Sequence, residues 1–239
     1  MFQPYLRYFM DHLEIRSSTK KALVFGASGL IGSSVVAMLM DHPAYESISA
    51  FYRSPGPEGN AKVNAHIIDF EQMNEWRNLI TGDDLFICLG TTMSKAGSKK
   101  NFYHAEFDYI NDITQLAENN GVKQVFLVSS MGADPSSYFF YNQVKGLIED
   151  ALKIKNFWSI HIFRPSVLLG NREEVRPMEA LAAGAGLALK VLGPKLFSKI
   201  TPIEGETVAR GMVKSAQEMR SGLFFYSSNL IAKLGKKQK

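Results

Sequence analysis

Short apolar runs alternate along the chain with longer stretches in which apolar residues recur every three or four positions. The runs fall at 22–26, 47–52, 63–68, 84–89, 124–129 and 158–163 and read as strands. The wider spacing predicts helices over 29–41, 71–80, 104–119, 139–154, 176–192 and 204–217. In the first of these, Ile31, Val35, Val36 and Leu39 form one stripe. Strands that alternate with helices imply crossover connections. The expected fold class is therefore α/β, a doubly wound parallel sheet covered on both faces. Val125, Phe126, Leu127 and Val128 show no polar alternation, as a central parallel strand requires, and a last run at 223–226 would add an edge strand.

With 239 residues, 46% of them apolar, the chain can bury a substantial core, and no Pro/Gly/Ser-rich linker divides it. The expected organisation is a helical extension over 1–20, one domain over 21–229 with a small C-terminal lobe drawn mainly from 165–220, and a basic tail over 230–239. Arg7, Asp11, His12, Glu14 and Arg16 interrupt the first segment, which excludes a signal-type apolar core. The apolar stretch 180–192 is too short to span a bilayer and includes Lys190, so no membrane partner is expected. Much of the net charge of +4 sits on Lys233, Lys236, Lys237 and Lys239, a solvated tail rather than a nucleic-acid surface. The single cysteine, Cys88, lies within an apolar run, which excludes an intrachain disulfide and suggests a buried core thiol and a reducing cytoplasm. The histidines at 12, 42, 66, 104 and 161 have no metal-ligand spacing, so no metal is assigned.

Candidate chemistry begins where the first strand runs into glycines at 26, 29 and 32 and then into a helical pattern. Gly26 permits the sharp turn, Gly29 lets the main chain approach a pyrophosphate, and Gly32 lets the helix pack closely on the sheet. The stretch Gly26, Ala27, Ser28, Gly29, Leu30, Ile31, Gly32 thus reads as a dinucleotide-binding turn, with the helix N-terminus offering free N–H groups to phosphates. Ligands of a doubly wound sheet collect beyond the carboxyl ends of its strands, which draws attention to Gly26, Arg53, Asp69, Gly90, Ser130 and Arg164. After the second strand stands Tyr52-Arg53-Ser54, with no carboxylate for an adenosine ribose. The Arg53 guanidinium suits a 2′-phosphate, so NADP(H) is preferred over NAD(H). Asp69 either contacts the adenine amino group or caps the next helix. Leu89, Gly90 and Thr91 follow the fourth strand, where glycine lets the chain pass beneath a dinucleotide.

Ser129-Ser130 ends the fifth strand, and Tyr141-Asn142-Gln143-Val144-Lys145 opens a helix eleven residues after Ser130. Positions i and i+4 share a helix face, which stands Lys145 beside Tyr141. A tyrosine with an ordinary pKa of about 10 is a poor base near neutrality, and a nearby ammonium favours its phenolate. Tyr141 is the candidate general acid/base, Ser130 the group that holds the substrate oxygen, and Lys145 its partner and a ligand of the nicotinamide ribose. Tyr138 lacks a lysine at 142, and Phe139 and Phe140 read as core or pocket wall.

Together these residues resemble the short-chain dehydrogenase/reductase superfamily in its extended and atypical branch, with the G-x-x-G-x-x-G spacing. Gly90-Thr91-Thr92, Lys95-Ala96-Gly97, Ser129-Ser130-Met131-Gly132-Ala133-Asp134, Tyr141 to Gly146, Phe163 to Leu169 and Arg176-Pro177 are similar to the Tat-interacting-protein-type oxidoreductases, over roughly residues 20–215. The resemblance implies a Rossmann-like fold with a small substrate lobe, NADPH binding and a Ser-Tyr-Lys site at Ser130, Tyr141 and Lys145. By similarity to extended members, Pro165, Ser166 and Val167 would make main-chain contacts to the nicotinamide carboxamide. The separation between serine and tyrosine is shorter than in many members, so the intervening loop is compact and Ser129 could share the serine role.

The leading expectation is an NADPH-dependent oxidoreductase that reduces a carbonyl, or oxidises the matching alcohol, of a small to medium substrate. One alternative is an NADPH-binding regulatory or interaction protein with little turnover. Another is a nucleotide-sugar epimerase or dehydratase, with Arg172 and Arg176 holding the diphosphate. The lobe looks small for a sugar nucleotide, and its apolar helix suggests a pocket wall. The superfamily commonly dimerises through the helices expected at 104–119 and 139–154, which leaves a homodimer open.

Overall fold

The structure, a computed structural model, describes residues 20–56, 61–169 and 201–236. Its centre is a parallel sheet of β1 (Lys20–Phe25), β2 (Tyr45–Tyr52), β3 (Val63–Ile67), β4 (Asp84–Ile87), β5 (Gln124–Val128), β6 (Ser159–Arg164) and β9 (Gly222–Ser227), in the order β3-β2-β1-β4-β5-β6-β9. Strand order reverses between β1 and β4, and such a switch point opens a crevice beyond the carboxyl ends of its strands. Two short strands, β7 (Leu168–Leu169) and β8 (Ile203–Glu204), pair separately.

Side-chain alternation along the strands feeds two cores. On one face Val24, Phe86, Phe126 and Phe163 pack with α1 (Leu30–Asp41) and α7 (Gly205–Gln217). On the other Leu23, Leu85, Val125 and Leu127 pack with α5 (Tyr109–Asn119) and α6 (Phe140–Lys153). Both faces of β5 are buried, which is why its sequence is apolar without interruption. The run at 223–226 falls within β9, at the sheet edge beside β6.

Three expectations need correction. The helix over 71–80 is a chain of short turns, 3-10 at Phe70–Gln72 and Arg77–Leu79 around the four-residue α2 (Met73–Trp76). The Trp76 indole, 3% exposed, packs at tilted and edge-on angles among Phe25, Phe51 and Phe70 and donates to the Asp69 carbonyl at 2.7 Å, which holds the segment in tight turns. The helix expected to begin at 104 is preceded by α3 (Met93–Ala96) and α4 (Lys99–Tyr103), and it enters α5 through a π turn, His104–Asp108. The tail expected from 230 is helical through Leu234 as α8 (Ser228–Leu234). Ile231 is fully buried there, and the Arg210 guanidinium donates to the Gly235 carbonyl at 2.9 Å. Burial of one isoleucine outweighs the neighbouring lysines.

Of the helix expected over 1–20, Lys20 instead opens β1, and residues 1–19 lie outside the described residues, as do the expected helix over 176–192, Arg172 and Arg176. Among the described residues no helix is long and apolar enough to cross a membrane, and no cluster of side chains could hold a metal ion.

Candidate active site

The glycine turn sits at the switch point, and its spacing has a steric cause at each position. Gly26 adopts φ 78°, and a Cβ there would lie 2.6 Å from the Cys88 carbonyl oxygen on β4's continuation. A Cβ on Gly32 would come within 2.1 Å of the Gly26 oxygen. Gly29 caps α1 and donates its N–H to Gly26 at 2.9 Å. The helix has no side-chain cap and no acidic residue in its first turn. Its free N–H groups and positive dipole end therefore stand beside a cleft that Ser28, Gly29 and Ile31 line. The turn accordingly fits the pyrophosphate of a dinucleotide.

From β2 the cleft takes Phe51 and the exposed Arg53, and from the chain after β4 it takes Cys88, Leu89, Gly90 and Thr91. Among the described residues, and apart from Gly90's chain neighbours, nothing but a Glu106 oxygen, 3.6 Å away, stands within 4 Å of a Cβ position on Gly90, which leaves room for a ligand against the backbone. Cys88 is half-buried, packed against the core on one side and lining the cleft on the other, since β4 ends one residue earlier. Desolvation pushes its thiol up to about 12. Phe70 and Tyr109, stacked at 4.9 Å, line the same cleft as Arg53. Desolvation and the Tyr109 bond to Glu71 push that phenol up to about 12, with Arg53 opposing. Of the two roles offered for Asp69, the structure shows the cap: its Oδ1 accepts the Glu71 N–H at 2.9 Å, and it does not line the cleft.

Tyr141 in the first turn of α6 and Lys145 one turn later both line the cleft. Tyr141 is exposed and lies against Phe102 with ring centroids 5.6 Å apart. Lys145 is buried. Its Nζ lies 2.5 Å from Glu106 Oε2 and donates to the Val128 carbonyl at 3.4 Å. Glu106, carried by the π turn, accepts the Thr91 N–H at its other oxygen.

The two serines divide differently from the simplest expectation. Ser129 lines the cleft, but its hydroxyl donates at 2.5 Å to Glu149, which also accepts two bonds from Arg164. The Ser130 hydroxyl oxygen is buried with no hydrogen-bond partner among the described residues, and Ser130 is not part of the cleft lining. The compact loop that follows turns at Gly132 (φ 85°) and rests on α6 at Gly146, where a Cβ would lie 2.1 Å from the Pro135 nitrogen. That contact brings Tyr141 close behind Ser130 in sequence without a long connecting loop.

Other expected contacts are not in the cleft lining. Ala27 is buried, Leu30 packs on Gly205, and Gly32 faces the Gly26 backbone. Pro165 accepts from Met131 at 2.9 Å, Val167 accepts from Ile203 at 2.8 Å, and the Ser166 hydroxyl donates to Thr201 at 2.6 Å. Leu168 is the residue of that segment that lines the cleft. Glu106, Phe70, Tyr109 and Leu168 were not expected. No local signal separates Glu106 from Asp108 or Asp112 on the same helical run, since only the π turn aims it inward.

A parallel sheet that reverses at β1 and β4, with a glycine turn and a Tyr-x-x-x-Lys helix on one cleft, defines a Rossmann-type protein of the short-chain dehydrogenase/reductase kind. The chain belongs to the NAD(P)H-binding family, whose model matches residues 26–158, more than half of its length. It is similar to Protein HTATIP2 of Rattus norvegicus, 32% identical over 230 residues that cover 93% of this chain and 92% of that one. It is also similar to Protein FMP52, mitochondrial, of Candida albicans, 31% identical over 83% of this chain and 89% of that one. Among solved structures, MoeE5 in complex with UDP-glucuronic acid and NAD shares the fold, with a TM-score of 0.67 at 16% identity over 87% of this chain and 75% of that one.

Proposed function

We propose that the chain is an NADPH-dependent oxidoreductase that reduces the carbonyl of a small to medium substrate, with Tyr141 as proton donor and Lys145 and Ser130 beside it. The observation that carries this reading is the placement of Tyr141 and buried Lys145, one helical turn apart, on the same cleft as the uncapped α1 N-terminus. In this reading the glycine turn holds the pyrophosphate, Arg53 the 2′-phosphate, and Lys145 the nicotinamide ribose. When bound, the reduced nicotinamide supplies the hydride to the carbonyl carbon. The Tyr141 hydroxyl gives its proton to the carbonyl oxygen, so the substrate gains hydride and proton and leaves as the alcohol. The Ser130 hydroxyl, buried and without a partner among the described residues, would turn into the cleft to reach that oxygen and stabilise its developing charge.

A protein that held the nucleotide only to brace its fold would have no use for a buried lysine beside a cleft-facing tyrosine. That supports turnover over the purely regulatory reading. The sugar nucleotide named for the structural neighbour belongs to that neighbour, whose likeness extends to the fold alone.

Arg53→Ala tests the cofactor assignment. Calorimetric titration of the wild-type protein should show NADPH bound more tightly than NADH. The variant should lose about 10- to 100-fold in NADPH affinity, the scale of one or two charge-assisted bonds, with NADH little changed. Equal affinities in the wild type would remove the NADPH preference. Cytoplasmic residence, suggested by the lone cysteine, belongs to the same proposal although the fungal relative is named mitochondrial. Fractionation of cells making the tagged chain should place it with cytosolic markers, and co-purification with mitochondria would refute that.

A further inference from the structure

We propose that Glu106 is a positioning residue that clamps the Lys145 ammonium and offsets its charge, keeping Tyr141 in the protonated form that carbonyl reduction requires. The inference rests on the reading of Tyr141 as the proton donor and adds a direction to it: near neutral pH the site is loaded for reduction of a carbonyl rather than oxidation of an alcohol.

Burying a carboxylate costs several kcal/mol unless it is paired and hydrogen-bonded. Glu106 is 1% exposed, and both of its oxygens are engaged in the cleft, Oε1 by the Thr91 N–H and Oε2 by the Lys145 ammonium. The helix reaches this arrangement only through the five-residue π turn, an irregular element that frequently marks functional sites. The turn's other polar residues point elsewhere, with His104 bound to Asp108 at 2.8 Å and to Glu71 at 3.1 Å.

An unopposed ammonium one turn from Tyr141 would favour the phenolate. A carboxylate 2.5 Å from that ammonium makes the pair nearly neutral as seen from the tyrosine, which removes the pull toward a phenolate. The remaining titratable or charged groups of the cleft do not interfere. Cys88 and Tyr109 are both pushed up to about 12. Behind Ser129, Glu149 is tied to Arg164.

The test is a spectroscopic titration of the full chain without nucleotide. Phenolate absorbance is followed with pH in the wild type, Glu106→Gln and Glu106→Asp, each paired with the same protein carrying Tyr141→Phe so that the difference isolates Tyr141. Glu106→Gln keeps the shape and removes the charge, and should move the Tyr141 transition down by about one pH unit or more. Glu106→Asp withdraws the charge by one methylene and should give a smaller shift of the same sign, which also serves if the glutamine variant does not fold. A Tyr141 transition unchanged in every variant that folds overturns the proposal. Calorimetry with NADPH on the same wild-type sample separates the two readings: failure to bind sinks the oxidoreductase assignment, whereas binding with an unmoved Tyr141 transition sinks only the role of Glu106.

Discussion

Tyr141→Phe should lower turnover by about 10²- to 10⁴-fold, the range contributed by a positioned proton donor, while leaving NADPH affinity within about twofold. The separation follows from geometry. Tyr141 is an exposed residue at the rim of the cleft, and its ring leans on Phe102, a contact that phenylalanine keeps. In the proposed binding mode the nucleotide's phosphates would meet the glycine turn and the first turn of α1, which the substitution does not touch. The measurement is a screen of aldehydes and ketones for NADPH oxidation, followed by calorimetry on both proteins. An unchanged rate in the variant would remove Tyr141 from the chemistry and return the site to the regulatory reading. Lost nucleotide binding would instead show that the hydroxyl helps to hold the cofactor.

Lys20→Met should destabilise the fold by about 3–5 kcal/mol, the cost of leaving a buried charge without its partner. Lys20, Asp84 and Gln124 open β1, β4 and β5, at the end of the sheet opposite the cleft. The Lys20 ammonium donates to Asp84 at 2.9 Å and to the Ala216 carbonyl at 2.8 Å. Tyr45 and Gln124 complete the shell around the carboxylate at 2.6 and 2.8 Å. Desolvation already raises the Asp84 carboxyl above its ordinary range, with Lys20 opposing that rise. Without the lysine the folded-state value climbs further above the unfolded one, so the folded state binds the extra proton. The deficit should therefore be largest near neutral pH and shrink as pH falls through the raised value. Urea unfolding of both proteins at neutral and mildly acidic pH reads the effect. A loss below about 1 kcal/mol would mean that water reaches this end of the sheet.

Much of the fold could be read along the chain because the signals are local. Gly26, Gly29 and Gly32 each answer a backbone contact within a few residues or across one strand pair, so their spacing alone announces the turn. Arg53 also stands where its position after the second strand put it, on the cleft. The helix at 71–80 failed because its turns are set by the Trp76 indole and the Asp69 carbonyl, a pairing that helical periodicity does not encode. The basic tail failed because counting lysines ignores what one buried Ile231 contributes.

The two serines that follow β5 and Glu106 show where sequence reasoning stops. Ser129 and Ser130 are indistinguishable in a string of residues. Their difference, one hydroxyl committed to Glu149, which Arg164 also holds, and the other without a partner among the described residues, arises from α6 and β6 meeting behind β5. The sequence by itself determined the parallel α/β architecture, the glycine turn and the placement of Tyr141 and Lys145 one turn apart on one helix, because these depend on periodicity and on spacings within a single turn. Only the tertiary structure decided the company Lys145 keeps. Its partner lies on another helix and is aimed inward by a π turn, and the free energy of burying two opposite charges together exists only once the chain has closed around them.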